Sequence, residues 1–184
     1  MLCKKTKNIH LKSAVCKNGH LLTTTLLPEQ TCIYAYCPQC GEEIIISCQH
    51  CGKSIPGGWG TITEIRDSFG ERESQKLYPL SKEESISNYC PYCGKPYPWT
   101  EKFLYDYKTL LNLYEDEIEI KLSETIYSAT ENLLKDRFST SSLNAVILKK
   151  CFNRLSDLTK LVFINAVSGF AGEALKNYFL SSVK

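Results

Sequence analysis

The sequence has no apolar run long enough to cross a bilayer. Its least polar stretch, residues 161–172, lies between Lys160 and Glu173 and is shorter than the roughly 18–20 residues that a membrane-spanning helix needs. The basic start, Met1 to Lys5, is not followed by the apolar segment that a secretory signal contains. Both absences predict a cytoplasmic protein without a membrane span.

The common signatures of catalysis are absent as well. The chain contains no glycine-rich phosphate loop, no dinucleotide-binding glycine pattern and no HExxH motif, and each of these marks a large class of enzymes. No cysteine and histidine form a legible nucleophile–base pair with a third orienting group. We therefore expect a protein that is not an enzyme.

Acidic residues are missing from the segment before Glu29. The same segment contains five lysines, at positions 4, 5, 7, 12 and 17. Clustered positive charge attracts nucleic acid, particularly where aromatic side chains offer stacking surfaces, but charge runs are also common on ordinary solvated surfaces. The segment therefore leaves nucleic acid open as one class of partner.

Cysteine, in contrast, is abundant. The chain has ten cysteines in 184 residues, and cytoplasmic thiols stay reduced, which favours metal binding over disulfides. A two-residue spacer between cysteines lets both sulfurs reach one ion at about 2.3 Å, and a following glycine accepts the positive φ of the turn. Three elements have this form: Cys37-Pro38-Gln39-Cys40-Gly41, Cys48-Gln49-His50-Cys51-Gly52 and Cys90-Pro91-Tyr92-Cys93-Gly94. They predict three metal-binding knuckles.

A fourth element completes the ligand set, because the Asn-Gly turn of residues 16–20 folds Cys16 back towards His20. Four two-ligand elements make two four-ligand sites. The predicted metal ligands are Cys16, His20, Cys37, Cys40, Cys48, Cys51, Cys90 and Cys93. Grouping in chain order is favoured, since four-ligand sites usually close between neighbouring elements. A nested grouping and a cross-braced grouping stay open.

Two zinc ions are the expected cofactors. Thiolate-rich tetrahedral sites suit zinc, although the all-cysteine site would also accept iron. Four protein ligands leave no position for a reactive water, which indicates a structural metal. A zinc site of three cysteines and one histidine carries one negative charge and a four-cysteine site carries two, so the formal charge of +2 falls to about −1. His10 and His50 are expected not to be ligands, and Cys151 to be a small core residue.

The predicted fold class is α+β, with a double zinc-ribbon domain over residues 1–98 and a small α-helical domain over residues 99–184. Residues 21–27 and 42–47 are predicted strands, and residues 52–89 are predicted to be a loop that either recognises a partner or covers the ribbons. Thr100 is the predicted cap of the first helix.

Three further helices are expected because apolar residues recur at helical spacing. The second begins near Ser123 and carries one apolar stripe, and the last covers residues 156–180. The residues of this stripe are Leu122, Ile126, Ala129, Leu133 and Leu134. The third is expected to bury one stripe, Leu143, Val146, Ile147 and Cys151.

These elements resemble a family of small bacterial proteins described only as a domain of unknown function. Its members begin with a C-x-N-G-H element, continue through CxxC knuckles and an I-x-G turn, and pass through CGKPYPWT into helices. The matching segments are residues 16–20, the three knuckles, Ile55-Pro56-Gly57 and Cys93-Gly94-Lys95-Pro96-Tyr97-Pro98-Trp99-Thr100. The resemblance covers nearly the whole chain and implies a bacterial double zinc ribbon, but it implies no activity.

The expected function is that of a non-enzymatic structural or adaptor module, in which zinc-held ribbons form a rigid platform for a protein partner. The alternative is a nucleic-acid-binding zinc-ribbon protein, and a second alternative is a membrane-active or enzymatic effector that uses the helical half. The apolar middle of the last helix, with Gly169 and Gly172, favours a homo-oligomer through the C-terminal helices.

Overall fold

The structure is a computed structural model that describes residues 3–66, 72–80, 86–114, 118–136 and 139–171. Within these ranges the α+β class is confirmed, because strands occupy the N-terminal half and helices the C-terminal half. The chain forms two compact units, Met1–Trp99 and Thr100–Lys184. None of the helices in the described ranges combines the length and the apolar character that crossing a membrane requires.

The N-terminal unit is built on one antiparallel sheet. The central strand β1 (Cys3–Cys16) pairs with β2 (Leu21–Leu26) and the short β3 (Ile44–Ile45) at its C-terminal end. Along the rest of its length β1 pairs with β4 (Pro56–Arg66), which pairs in turn with β5 (Arg72–Pro79). The order across the sheet is therefore β2-β1-β4-β5, with β3 beside β1.

Two expectations for this unit are wrong. Residues 52–89 are not one loop, because the antiparallel strands β4 and β5 occupy half of this range. The predicted strand at residues 42–47 shrinks to the two residues of β3, since Glu43 and Ser47 belong to the isolated bridges that close the knuckles on either side. The basic N-terminal segment, which carried no strand prediction, supplies the central strand.

The sequence Ile55-Pro56-Gly57 is also not a turn. Pro56 begins β4, and Gly57 lies where the backbones of three strands approach one another. A Cβ added to Gly57 would lie 2.4 Å from the Thr24 carbonyl oxygen and 2.7 Å from the Lys12 carbonyl carbon. Glycine is needed here for close approach of the backbone rather than for a turn.

The C-terminal half contains four helices in its described ranges: α1 (Pro98–Leu113), α2 (Ile120–Lys135), α3 (Leu143–Phe152) and α4 (Asp157–Ala171). Their buried faces form one apolar core. Its largest members are Tyr107, Leu111, Ile118, Ile126, Leu133, Leu148, Phe152 and Phe163.

The helix starts differ from the predictions in two places. The α2 helix begins at Ile120, three residues before the predicted start near Ser123. α1 begins at Pro98, and proline is favoured in the first helical position because its missing N–H would have no partner there. Thr100 therefore lies inside the first turn and is not the cap. Ser142 does cap α3, since its Oγ accepts a hydrogen bond from the Ala145 N–H at 3.2 Å.

The predicted apolar stripes are confirmed for α2 and partly wrong for α3. The α2 helix buries Leu122, Ile126, Ala129, Leu133 and Leu134, as expected. The α3 helix buries Cys151, as expected, but Leu143 and Val146 are exposed because the helix turns Ala145, Leu148 and Phe152 inwards instead. Residues 172–180 of the predicted last helix, with Gly172 of the proposed oligomer contact, lie outside the described residues.

Candidate metal centres

Three of the four ligand elements share one backbone geometry. In each knuckle the N–H of the glycine after the second cysteine donates to the carbonyl of the first cysteine at 2.8 Å. The N–H of the first cysteine donates to the carbonyl five residues later, at 2.7 to 2.8 Å. The glycines, Gly41, Gly52 and Gly94, have φ of +74°, +70° and +70°. Because an L side chain is strained at such a φ, the turn itself accounts for the glycine.

The fourth element is the turn of the β1–β2 hairpin. Cys16 ends β1 and its N–H donates to the His20 carbonyl at 3.0 Å, while the Gly19 N–H donates to the Cys16 carbonyl at 2.8 Å. Gly19 has φ of +88°. The turn also directs the His20 N–H to the Cys16 sulfur at 3.2 Å, so both predicted ligands face the same space.

The first cluster joins Cys16, His20, Cys37 and Cys40. The Nδ1 atom of His20 lies 3.4, 3.7 and 3.2 Å from the sulfurs of Cys16, Cys37 and Cys40 respectively. The Cys16 and Cys40 sulfurs are 3.7 Å apart. The four ligand atoms lie within 4.8 Å of one another, and Nδ1 is the histidine nitrogen that faces the sulfurs.

The second cluster joins Cys48, Cys51, Cys90 and Cys93. The Cys48 and Cys93 sulfurs are 3.8 Å apart, and the Cys51 and Cys90 sulfurs 3.7 Å. All four sulfurs lie within 4.8 Å of one another. The structure therefore groups the eight predicted ligands in chain order, and neither the nested nor the cross-braced grouping occurs.

These distances fit a four-coordinate metal and do not fit disulfides. Sulfurs at about 2.3 Å from a tetrahedral ion are about 3.8 Å apart, which matches the measured sulfur pairs. A disulfide needs about 2.05 Å, and none of the eight cysteines that the structure describes within residues 16–93 forms one, Cys32 included. Either cluster could hold one metal ion.

As thiols, the cysteines of a cluster differ in acidity. The backbone N–H of Glu42 is the largest influence on Cys40, and it helps to lower the pKa of Cys40 to about 6. For Cys90, burial raises the pKa, but the backbone N–H groups of Tyr92 and Cys93 outweigh it and lower the pKa to about 6. Burial raises the pKa of Cys16. Because metal ligands are thiolates, metal binding displaces the proton of each cysteine that is still a thiol.

The two ligands of the hairpin turn are tied to the first knuckle by an ion pair. Lys17 Nζ contacts a carboxylate oxygen of Glu43, and the Lys17 N–H donates to the Glu43 carbonyl at 3.0 Å. An exposed ion pair contributes little to stability by itself, so the backbone hydrogen bond is the other contact between the turn and the knuckle.

An aromatic pair that sequence reasoning missed lies between the two clusters. The rings of Tyr97 and Trp99 stack with centroids 4.6 Å apart, and both side chains are buried. Trp99 Nε1 donates to the Ser87 carbonyl at 3.2 Å, and a Cβ on Gly19 would lie 3.1 Å from the Trp99 Cβ. The segment after the third knuckle thus packs on the turn that carries Cys16 and His20. The sequence signal that could have indicated this packing is the presence of two aromatic residues, Tyr97 and Trp99, shortly after the last ligand.

The remaining histidines and cysteines lie outside both clusters. His10 contacts the Trp59 ring edge-on, at 4.7 Å between centroids, and His50 is exposed in its knuckle. Cys32 is half-buried and Cys151 lies in the helical core. Among the described residues, the potential ligands that come together are the eight predicted ones.

These ligand sets define the chain as a protein with a double metal-binding motif of the zinc-ribbon type, followed by helices. The family described as "Uncharacterized protein conserved in bacteria (DUF2321)" matches residues 9–176, a range that includes all eight ligands, and the chain belongs to this family. The resemblance seen in the CxNGH and CGKPYPWT segments is thereby confirmed. No curated protein and no solved structure matches the chain.

Proposed function

We propose that this protein is a non-enzymatic zinc-binding module, in which one zinc ion in each cluster fixes the N-terminal unit as a platform for a protein partner. The observation that carries this proposal is the pair of complete ligand sets, each with four ligand atoms within 4.8 Å. Closed sets of four sulfur or nitrogen ligands are those of structural zinc. Zinc would supply a cross-link between knuckles, with no open position for substrate or water.

Each of the three knuckles buries its first cysteine and exposes the residues that follow it. Cys37, Cys48 and Cys90 are buried, whereas the residues between the knuckle cysteines are exposed. Structural zinc contributes about 10–16 kcal/mol of apparent binding free energy to folding. A zinc ion in each cluster would therefore replace the apolar core that the knuckles lack.

A protein partner is supported by an apolar groove beside the first cluster. The groove has a volume of about 350 Å³ and is lined by β2, by the segment that precedes the first knuckle, and by His20 and Cys37. Ile33 at its rim is 94% exposed, and Tyr34 is 62% exposed. Contiguous exposed apolar surface of this kind marks interaction sites in many proteins.

Elemental analysis of the full chain, purified under reducing conditions, tests the metal part of the proposal. We expect two zinc ions per unaltered chain. Each of the variants Cys40→Ser and Cys93→Ser should contain one zinc ion per chain. Cys32→Ser is the matched control, since Cys32 lies outside both clusters, and it should keep two. Fewer than two metal ions in the unaltered chain would contradict the proposal, and iron in the four-cysteine cluster would correct the identity of the ion.

The partner part is tested separately. Ile33→Asp places a charge at the rim of the groove and lies outside the ligand set. We expect proteins that co-purify with the unaltered chain to be lost with Ile33→Asp while the zinc content stays at two. Equal recovery of the same proteins would exclude the groove as their binding surface.

Nucleic acid is a second candidate partner because of an exposed aromatic surface on the sheet. Trp59 and Tyr78 are each about half exposed, and the His10 ring contacts Trp59. Against it, Lys12 is buried with Nζ bonded to the Gln30 carbonyl at 2.6 Å, and Lys17 pairs with Glu43. Binding to single-stranded oligonucleotides that weakens steeply with salt and with Trp59→Ala would favour this candidate.

The proposal gives the helical half no membrane-active or enzymatic role. Phe163, Ile164 and Val167 of α4 are buried in the core of their own unit, which leaves the exposed Leu158 and Leu161 as the apolar surface of its described part. A vesicle flotation assay in which the chain floats with the lipid would overturn this assignment.

A further inference from the structure

The His20 ring turns one of its two nitrogens towards the first cluster. Its Nδ1 atom lies 3.2 to 3.7 Å from the sulfurs of Cys16, Cys37 and Cys40. A nitrogen and a sulfur bound to the same tetrahedral zinc ion are about 3.5 Å apart, so these distances fit Nδ1 as the ligand atom. Because Nδ1 and Nε2 lie on different sides of an imidazole ring, Nε2 faces away from the sulfurs.

The choice of ligand atom also determines where the ring proton lies. A neutral imidazole that binds a metal through Nδ1 carries its proton on Nε2. Metal-bound histidines almost always donate this second N–H to a carbonyl, a carboxylate or water. In the part of the chain that the structure describes, the ring contacts of His20 all involve Nδ1. The Nε2–H group is therefore left to donate to water or to a partner.

His20 belongs to the wall of the apolar groove beside the first cluster, and it is half-buried there. The residues that supply the apolar surface of the groove are Leu21, Leu22, Leu26, Ile33, Tyr34 and Pro38. In the free chain, water can accept from Nε2–H. A partner that fills the groove displaces this water, and it loses affinity unless one of its own atoms accepts the hydrogen bond instead.

The charges around the groove favour a neutral acceptor. With zinc bound, the three thiolates and the imidazole of the first cluster would carry a net charge of about −1, which opposes a carboxylate at this place. None of the described residues that line the groove is positively charged, and Lys17 is paired with Glu43. A backbone carbonyl beside an apolar side chain meets both requirements, because it is uncharged and accepts a hydrogen bond.

We propose that metal-bound His20 supplies the hydrogen-bond donor of this groove, and that the groove binds an uncharged apolar segment of a protein whose backbone carbonyl accepts from Nε2–H. This inference rests on the proposed function, because it needs a metal in the first cluster and a partner in the groove. His20 then has two roles, as a metal ligand and as a contact to the partner. Recognition of the partner therefore depends on the metal.

Short random peptides displayed on phage and selected on the zinc-loaded full chain test the class of partner. We expect the selected peptides to be apolar and uncharged. Synthetic copies should bind at least about 10-fold more weakly to Ile33→Asp, which places a charge against their apolar surface. Leu143→Asp is the matched control, since Leu143 is an exposed apolar residue of α3, and it should not change the affinity. Selection of charged peptides, equal binding to Ile33→Asp, or a library without binders would overturn the proposal.

His20→Cys tests the donor itself. Cysteine keeps four ligands in the first cluster, so the zinc content should stay at two ions per chain. The Nε2–H group is lost, and the same synthetic peptides should bind about 2- to 10-fold more weakly, which is the usual effect of one hydrogen bond. Equal affinity of His20→Cys and the unaltered chain, with two ions bound to each, would overturn the role of His20.

A measurement on the unaltered chain keeps this test independent of the folding of His20→Cys. The nitrogen NMR signal of His20 Nε2 should move downfield when a selected peptide binds to the zinc-loaded chain, because its N–H exchanges water for a carbonyl in an apolar groove. The signals of His10 and His50, which lie outside the groove, should not move. An unmoved Nε2 signal at saturating peptide would overturn the role of His20.

The outcomes also separate this inference from the function on which it rests. An unaltered chain that takes up no metal in the first cluster would overturn both. Two bound ions and peptides that bind the groove, with no effect of His20→Cys, would overturn the donor alone. Sedimentation that shows a dimer of the unaltered chain and a monomer of Ile33→Asp would assign the groove to a second copy of this chain and overturn the proposal.

Discussion

The two units of this chain are stabilised in different ways. The helical unit has one continuous apolar core, in which Tyr107, Leu133 and Phe163 are almost fully buried. Among its described residues, the N-terminal unit buries fewer large side chains, such as Leu11 and Ile55, and its knuckles bury cysteine sulfur instead. A small unit with little apolar core usually needs a metal or disulfides. From this comparison we expect the N-terminal unit to depend on the proposed metal ions and the helical unit on the hydrophobic effect.

Removal of metal tests this difference with the largest expected effect. A strong chelator under reducing conditions should abolish the hydrogen-exchange protection of β1, β2 and β3, because about 10–16 kcal/mol of apparent binding free energy per structural zinc is lost. The amides of α2 and α3 should keep their protection. Simultaneous loss of protection in both units would show that their stabilities are not separate, and no loss in either would exclude a structural metal.

Phe163→Ala is the converse experiment. Deleting a fully buried phenylalanine from the helical core should lower the free energy of unfolding of that unit by about 3–5 kcal/mol, as measured by denaturant titration of the helical circular dichroism. The zinc content should not change. Leu158→Ala is the control on the same helix, because Leu158 is exposed, and a comparable loss there would mean that burial is not the cause.

Gly57→Ala should show how much the sheet contributes to the stability of the N-terminal unit, in addition to the contribution of the metal. Its Cβ would lie within 3 Å of backbone atoms of Thr24 and Lys12, so we expect overpacking to cost about 1–3 kcal/mol. Gly41→Ala is the comparison, since its Cβ would meet no atom within 4 Å and only the positive φ opposes it, by about 1–2 kcal/mol. Thermal unfolding at fixed zinc concentration measures both, and a larger effect for Gly41→Ala would contradict the close-approach argument.

Ser142→Ala should have the smallest effect. It removes the side-chain cap of α3, which accepts from the Ala145 N–H, and loss of such a cap costs about 1 kcal/mol. Ser128→Ala, at an exposed position inside α2, should be neutral or slightly stabilising because alanine is the better helix former. Denaturant midpoints of the two variants check the difference, and equal midpoints would mean that the cap contributes nothing.

The ligands could be predicted from the sequence because each knuckle is a local structure. Two cysteines and a glycine within five residues determine the turn, and the turn brings the sulfurs together whatever the rest of the chain does. The grouping in chain order was favoured but not determined by the sequence, because the second ligand set closes across the β4–β5 hairpin. Cys151 and the buried face of α2 were predictable for the same reason, since helical spacing is also local.

The sheet could not be predicted in the same way. Residues 3–12 pair with β4, about 50 positions further along the chain, and nothing local indicates this pairing. The β1 strand is rich in lysine and polar residues, so it gave no run of the apolar and β-branched kind by which strands are recognised. In β4, the glycines at 57, 58 and 60 are typical of a loop. At Gly57, however, the glycine is needed because the neighbouring strands leave no room for a side chain.

The spacing of the ligands along the chain would also set the order in which the protein acquires the two proposed ions during synthesis. The pair Cys16 and Cys40 is separated by 24 residues, whereas Cys48 and Cys93 are separated by 45 with the whole β4–β5 hairpin between them. A nascent chain would therefore complete its first ligand set before the ribosome has made the last knuckle. Assembly would proceed from the amino end, with the earlier ion already seated while the hairpin emerges.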